Sequence, residues 1–213
     1  MLKRILDLVV SFLGLLFLLP LLTVVAILIK SGSPGPVFYR GLRAGRFGKP
    51  FRICKFRTMV LNADKIGGPS SAADDPRITR VGAFLRQYKL DELPQLLNVL
   101  RGEMSLVGPR PEVLQYVAMF TEEERPILTV LPGITDWASI ANSDEGALLA
   151  GSPDPEKTYL EKIRPEKIRL QLEYVRRHSF AVDLQILMQT LRVLLRRNRA
   201  AAGISLEARG GEQ

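Results

Sequence analysis

Residues 5–29 form an almost uncharged stretch, ILDLVVSFLGLLFLLPLLTVVAILI, in which Asp7 is the one charge among 25 residues. A helix of this length reaches across a hydrocarbon core of about 30 Å, so the segment predicts a membrane helix. The run is too long for a secretory signal peptide, and no small-x-small cleavage site follows it. We therefore expect the segment to stay in the mature protein.

The topology of this segment is ambiguous from its residues. Pro20 lacks an N–H and clashes with the carbonyl of Leu16, so we expect the helix to bend or break there. A helix that turns near Pro20 and returns would leave both ends on the cytoplasmic face, whereas a kinked span is also compatible with proline. The positive-inside rule does not decide, because basic residues flank both ends: Lys3, Arg4, Lys30, Arg40 and Arg43.

Charge and cysteine content restrict the partners and the compartment. The 213 residues suit one domain, and 30 Lys+Arg against 22 Asp+Glu give a net charge of +8. This charge favours an anionic partner, either nucleic acid, a phosphate-bearing substrate or acidic lipid. The single cysteine, Cys54, rules out an internal disulfide and fits a cytosol-facing environment. The single histidine, His178, has no ligand cluster near it in sequence, so we expect no zinc site.

The segment after the apolar stretch, VFYRGLRAGRFGKPFRICKFRTM, alternates apolar or aromatic residues with basic ones. The glycine-containing turn AGRFGK at its centre predicts a hairpin of two short strands with a basic face. Interleaved aromatic and arginine residues also occur in single-stranded nucleic-acid binding. Because the hairpin adjoins a membrane segment, we expect lipid headgroups as its partner and no nucleic acid. Residues 62–76 are rich in Gly, Ser, Ala, Pro and Asp, and predict a loop.

Two adjacent carboxylates, Asp91 and Glu92, lie in the sequence KLDELPQLLNVL. Leucines at helical spacing predict an apolar helix face there, but Pro94 interrupts it, so the helix kinks or restarts beside the two acids. If the helix restarts, Asp91 can act as its N-cap, where backbone N–H groups also favour phosphate. Six cations and four acids occupy residues 77–112: Arg77, Arg80, Arg86, Lys89, Arg101 and Arg110, with Asp91, Glu92, Glu103 and Glu112.

This positive excess would keep a carboxylate ionised and leave cationic groups available for phosphate. A capped helix with surface ion pairs is the alternative reading of the same residues.

The last third of the chain predicts helices. Pro165 suits a first helical turn, and apolar residues recur at helical spacing up to the basic cluster at residues 196–199. We expect this helical region to lie partly in the core and partly at the membrane interface. Residues 200–213 are expected to form a flexible tail.

Three motifs together resemble one family. KFRTM at residues 55–59, DELPQ at 91–95 and GPRPE at 108–112 are similar to those of the bacterial sugar transferases, the small monotopic phosphoglycosyl transferases. The resemblance runs from the membrane segment to about Gly133 and more weakly to DLQIL near the C-terminus. It implies an α-rich α+β fold, with a re-entrant membrane helix at residues 1–32 and a cytosolic, membrane-interface catalytic domain at 33–199. The family usually has serine before its helix-breaking proline, where this chain has Leu19.

The resemblance also implies an activity. The family transfers a sugar 1-phosphate from a nucleotide diphosphate sugar, usually a UDP-sugar, to polyprenyl phosphate, with Mg²⁺ and release of UMP. This is the first membrane step of glycan assembly, at the cytoplasmic face of the bacterial inner membrane. Homodimerisation is left open.

By the motif match, Asp91 is the nucleophile of a covalent aspartyl-phosphosugar intermediate. Glu92 would bind Mg²⁺ with Asp91 or handle a proton on the acceptor. We expect Arg110 to clamp phosphate, because its planar fork grips oxygens bidentately. Four further candidates for phosphate contacts could instead pair with Asp74, Asp75 or Glu103: Lys55, Arg57, Arg77 and Arg86.

The chain departs from the family pattern after PGIT. Many members continue with Gly-Trp-Ala-Gln and then Asn-Gly-Arg, whereas here Asp136 replaces the glycine, Ser139 replaces the glutamine, and no arginine follows Asn142. We interpret the change as altered sugar or nucleotide recognition, or as the mark of a subfamily. The competing functional hypothesis is a non-catalytic anchored module whose basic face binds acidic lipid or nucleic acid. Such a module has no need of Asp91, Glu92 and Arg110.

Overall fold

The computed structural model describes the backbone of residues 1–210 and the side chains of residues 1–196. Its helices are α1 (Leu2–Gly32), α2 (Ala63–Ile66), α3 (Arg80–Gln87), α4 (Leu96–Arg101), α5 (Leu114–Val117), α6 (Trp137–Ala141), α7 (Glu145–Leu149), α8 (Pro155–Thr158), α9 (Arg164–Arg177) and α10 (Phe180–Gly210). Its strands are β1 (Phe38–Tyr39), β2 (Leu42–Ala44), β3 (Pro50–Arg52), β4 (Lys55–Phe56), β5 (Ser105–Val107) and β6 (Gly133–Thr135).

The helix α1 is the apolar N-terminal segment, and it is long and apolar enough to cross a membrane. It continues as helix through Pro20, so the helix is not interrupted at that residue, and a bend there stays a prediction. Four residues on one side of α1 are buried against the rest of the protein: Asp7, Ser11, Val25 and Ile29. Most of the remaining surface of α1 is exposed and apolar, which fits contact with lipid.

The predicted hairpin is confirmed as β2 and β3, which pair antiparallel with Ala44 opposite Pro50. The turn between them passes through Phe47 and Gly48, both with positive φ. A second antiparallel pair joins β1 to β4, and a parallel pair joins β5 to β6. These small two-stranded sheets among many helices confirm the helix-rich α+β class. Residues 62–76 are mostly loop, as expected, with the single turn of α2 inside.

The main core lies where β3, α4, β5, α9 and α10 meet, and α1 packs against it. Its centre contains Val99, Met104 and Ile186, all fully buried. A second cluster joins Ile29 of α1 to Phe56 of β4, so α1 contributes to two parts of the core. Cys54 is buried beside these elements, as expected for a small hydrophobic residue.

The C-terminal region forms two helices rather than one. Pro165 lies in the first turn of α9, as predicted, and the chain bends at His178 before α10 begins. Ile186 of α10 is in the core, while Leu184 and Met188 on another face are exposed. The core role of this region is confirmed, and its membrane role stays a prediction. The expected tail at 200–213 continues as helix to Gly210, and residues 211–213 lie outside the described part; its flexibility stays a prediction.

Candidate active site

The local backbone places Asp91 and Glu92 at the start of a 3-10 helix, Leu90–Gln95, which leads directly into α4. The N-cap of this turn is Lys89, in a left-handed conformation with φ of 56°, so the expectation that Asp91 is the N-cap is wrong. Pro94 cannot donate to the carbonyl of Leu90, and the chain coils with tighter i to i+3 bonds instead. The turn therefore begins earlier than a restart at Asp91 would require.

Glu92 is held by two cations. Lys55 Nζ lies 3.0 Å from Glu92 Oε1, and the guanidinium of Arg110 contacts both carboxylate oxygens, with Nη1 3.1 Å from Oε2. Burial alone would raise the pKa of this acid, but the charges of Arg110 and Lys55 outweigh it and hold the pKa of Glu92 well below its usual range. Glu92 is therefore ionised and paired.

Asp91 is in the opposite situation. Its side chain is buried and lines the cavity described below. Burial first, and then the neighbouring charge of Glu92, raise the pKa of Asp91, while Lys55 and Arg86 oppose the shift. One acid of the pair is thus fixed by ion pairs, and the other is buried at the cavity wall near several cations.

The cavity in front of Asp91 has a volume of about 1630 Å³, enough for a nucleotide sugar. Lys55, Arg86 and Arg110 contribute cations to its wall, together with Asp91 and Glu92. Residues of the segment 36–43, of the loop at 62–76 and of the segment 138–147 also contribute to the lining. The structure thus brings the three motifs KFRTM, DELPQ and GPRPE to one cavity.

The remaining predicted arginines differ in how much of their guanidinium is available. Arg57 donates to the backbone carbonyl and to the hydroxyl of Ser33, both at 2.9 Å, at the end of α1. Arg77 forms a bidentate pair with Asp75, which is the structural pairing left open above. Arg86 donates to two neutral hydroxyls, that of Thr58 at 2.9 Å and that of Ser71 at 2.7 Å. Their roles in phosphate binding stay predictions.

The sequence did not identify several residues that line the cavity or support its wall. Lys167 lines the cavity and pairs with the carboxylate of Glu112, and its ammonium also lies 2.9 Å from the hydroxyl of Tyr159. No spacing in the sequence marks this pair. Asp136 is fully buried and contacts the backbone of Arg110, whereas Ser139 lines the cavity itself. The departure from the family pattern pointed to both Asp136 and Ser139, but it did not show that one is buried and the other lines the cavity.

The acidic, histidine and cysteine side chains decide whether the protein alone could hold a metal ion. Among the described residues, no group of three or more His, Cys, Asp or Glu side chains converges on one point. A protein-only metal cage is therefore absent from the described part. Mg²⁺ usually takes only one or two carboxylates and otherwise water and substrate phosphates, which the pair of Asp91 and Glu92 can supply.

The chain is similar to known sugar transferases. A match to the family described as bacterial sugar transferase covers residues 1–197, and the chain therefore belongs to that family. The UDP-glucose:undecaprenyl-phosphate glucose-1-phosphate transferase of Escherichia coli (strain K12) is 40% identical over 199 residues, which are 90% of this chain and 39% of that protein.

Two further relatives show the same likeness. The UDP-N-acetylgalactosamine-undecaprenyl-phosphate N-acetylgalactosaminephosphotransferase of Aeromonas hydrophila is 36% identical, over 91% of this chain and 43% of that protein. The sugar transferase EpsL of Bacillus subtilis (strain 168) is 38% identical, over 91% of this chain and 87% of that protein. The chain thus spans about two fifths of the larger relatives and most of EpsL.

Proposed function

We propose that this chain transfers a sugar 1-phosphate from a UDP-sugar to polyprenyl phosphate and releases UMP, as the first membrane step of a glycan assembly. The names of the relatives support a sugar-phosphate donor and an undecaprenyl-phosphate acceptor. The observation that carries the proposal is the state of the acid pair: Asp91 faces a large cationic cavity, while Glu92 is fixed by Lys55 and Arg110.

In the proposed reaction, a carboxylate oxygen of Asp91 attacks the phosphorus atom that carries the sugar. The bond from that phosphorus to the bridging oxygen breaks, and UMP leaves with the bridging oxygen. An oxygen of polyprenyl phosphate then attacks the same phosphorus, and the Asp91 carboxylate leaves. Two easier displacements thereby replace one difficult displacement.

Cationic groups at the cavity wall can stabilise the negative charge of the reacting phosphates. Phosphoryl transfer depends on positioning and on stabilising negative charge, which Arg110, Arg86 and Lys55 supply at the cavity wall. Arg110 can exchange one carboxylate oxygen of Glu92 for a phosphate oxygen, because both ligands fit its planar fork. Asp91 and Glu92 would hold Mg²⁺, which when bound neutralises part of the diphosphate charge.

The contacts of α1 support a re-entrant placement with the domain of residues 33–199 on the cytoplasmic face. Near its start, Lys3 Nζ lies 2.7 Å from Asp183 and Arg4 donates to Val99 O at 2.7 Å. Near its end, Arg57 binds Ser33. Both ends of a 31-residue helix thus contact the same domain, which a helix crossing the bilayer away from that domain would not do.

The direct test incubates purified protein with polyprenyl phosphate, Mg²⁺ and a panel of UDP-sugars, and measures UMP release. We expect one or a few donors to give acceptor-dependent turnover, lost on chelation of Mg²⁺. No UMP from any donor, together with binding to anionic vesicles that falls steeply with salt, would favour the non-catalytic module instead.

A further inference from the structure

We propose that Asp136 is a positioning residue that fixes the backbone of Arg110, and so aims its guanidinium at the substrate diphosphate. The proposal rests on the proposed function for the identity of that substrate. The hydrogen bonds on which it is based are observed in the structure and do not depend on what the protein catalyses.

The carboxylate of Asp136 is fully buried and uses both oxygens. Oδ1 accepts from the backbone N–H of Ser139 at 2.7 Å, which caps α6. Oδ2 accepts from the backbone N–H of Arg110 at 3.3 Å and from the amide Nε2 of Gln171 at 3.4 Å. One side chain therefore joins the start of α6 to the backbone of the clamp residue.

Gln171 completes the fixation from α9. Its Nε2 also lies 3.4 Å from the carbonyl oxygen of Arg110, so the N–H and the C=O of one residue are both bound by buried side chains. Pro109 fixes its own φ, and Pro111 restricts Arg110 to extended conformations. The backbone of Arg110 is thus limited covalently from both sides and oriented by Asp136 and Gln171.

The contacts to Arg110 and Gln171 require a second acceptor oxygen, and so a carboxylate, at position 136. Capping of α6 alone would not require a carboxylate. An N-cap needs a single acceptor, and Ser, Thr or Asn supply it equally well. At Asp136 the second oxygen faces the N–H of Arg110, and an asparagine that keeps the cap would turn its own NH₂ toward that N–H. The two explanations therefore predict opposite results for Asp136→Asn.

The first experiment measures hydrogen exchange by mass spectrometry and needs no substrate. Because Pro109 and Pro111 carry no N–H, the Arg110 amide is the single backbone amide of residues 109–111. We expect this amide to exchange at least several-fold faster in Asp136→Asn. In the control, Asp154→Asn, it should be unchanged, since Asp154 caps α8 through Lys157 N at 2.9 Å and is exposed. Unchanged protection in Asp136→Asn would overturn the proposal.

The second experiment is a double-mutant cycle on turnover. Asp136→Asn should lower turnover roughly tenfold or more, which is the scale for a lost hydrogen bond to a charged group. In an Arg110→Ala background the same change should cost nothing further, because its effect acts through Arg110. An equal loss in both backgrounds would mean a structural role only and would overturn the proposal.

A second variant keeps the test decisive if Asp136→Asn does not fold. Gln171→Met has a similar shape, leaves the cap of α6 intact and removes the donor to the Arg110 carbonyl. It should also lower turnover in the wild-type background and not in Arg110→Ala. If the wild-type protein releases no UMP from any donor, the proposed function fails, and the exchange experiment alone decides on positioning.

Discussion

Two neighbouring carboxylates, Asp91 and Glu92, are in different states because of the turn on which they lie. In a 3-10 helix adjacent side chains point roughly 120° apart, so the two acids make different contacts although both line the cavity. Glu92 is paired with Lys55 and Arg110. A paired acid is a poor nucleophile because its charge is already engaged. The geometry therefore assigns the attack to Asp91 within the proposed function.

Arg110→Lys tests the phosphate clamp at the residue scale. The substitution keeps the charge but loses the planar fork, so we expect steady-state turnover to fall at least about tenfold. Arg169→Lys is the matched control, because Arg169 also binds a carboxylate, that of Glu166, through two nitrogens, but on the exposed surface. Its turnover should be unchanged. Near-normal turnover in Arg110→Lys would move the clamp to Arg86.

The sequence identified the residues of the cavity better than their partners. Motifs supplied Asp91, Glu92 and Arg110, and the structure places them together. Arg57 could not be assigned from sequence, because its partner Ser33 is 24 positions away and is reached only through the fold. The contacts of Asp136 with the backbone of Arg110 and Ser139 and with Gln171 were not predictable from the sequence, and altered recognition or a subfamily mark stays a prediction. Local pattern does not reveal long-range hydrogen bonds.

At the scale of elements, the buried face of α1 could not be predicted from its sequence, because the helix is almost uniformly apolar. Its buried stripe includes Asp7, which accepts from Ser105 Oγ at 2.9 Å and from the N–H of Leu106 at 3.0 Å. Apolar residues surround the stripe on every side, so no hydrophobic period could predict which face meets the protein. The short elements were also hard to predict, since strands of two or three residues carry little pattern.

The placement of α1 can be tested by cysteine labelling. Leu2 and Ser31 are both exposed, at opposite ends of α1. In a Cys54→Ser background, we expect Leu2→Cys and Ser31→Cys each to react with an impermeant maleimide from the cytoplasmic side and not from outside. Cys54 is itself a weak reporter, since burial raises the pKa of its thiol. Labelling of Leu2→Cys from outside alone would establish a spanning helix.

At the scale of the whole molecule, the cavity lies beside the end of the membrane helix. Lys55 lies in β4 and contacts Glu92. Arg57 follows directly after β4 and contacts the end of α1. Residues of α6 and α7 also line the cavity, and the N–H of Ala73 donates to the carbonyl of Gly146 at 2.8 Å, which joins α7 to the loop at 62–76. Arg57 also lines the cavity, so within the proposed function the cavity lies close to the membrane that would hold polyprenyl phosphate.

The central claim, a covalent phosphosugar ester on Asp91, is tested most directly by intact-protein mass spectrometry after incubation with donor and Mg²⁺ but no acceptor. We expect the protein to gain the mass of one phosphosugar, with at most one equivalent of UMP released per site. Asp91→Asn, nearly isosteric but without the nucleophilic charge, should bind donor and show neither adduct nor turnover. Substantial turnover in Asp91→Asn, or UMP release that always requires the acceptor, would contradict the account and indicate direct displacement.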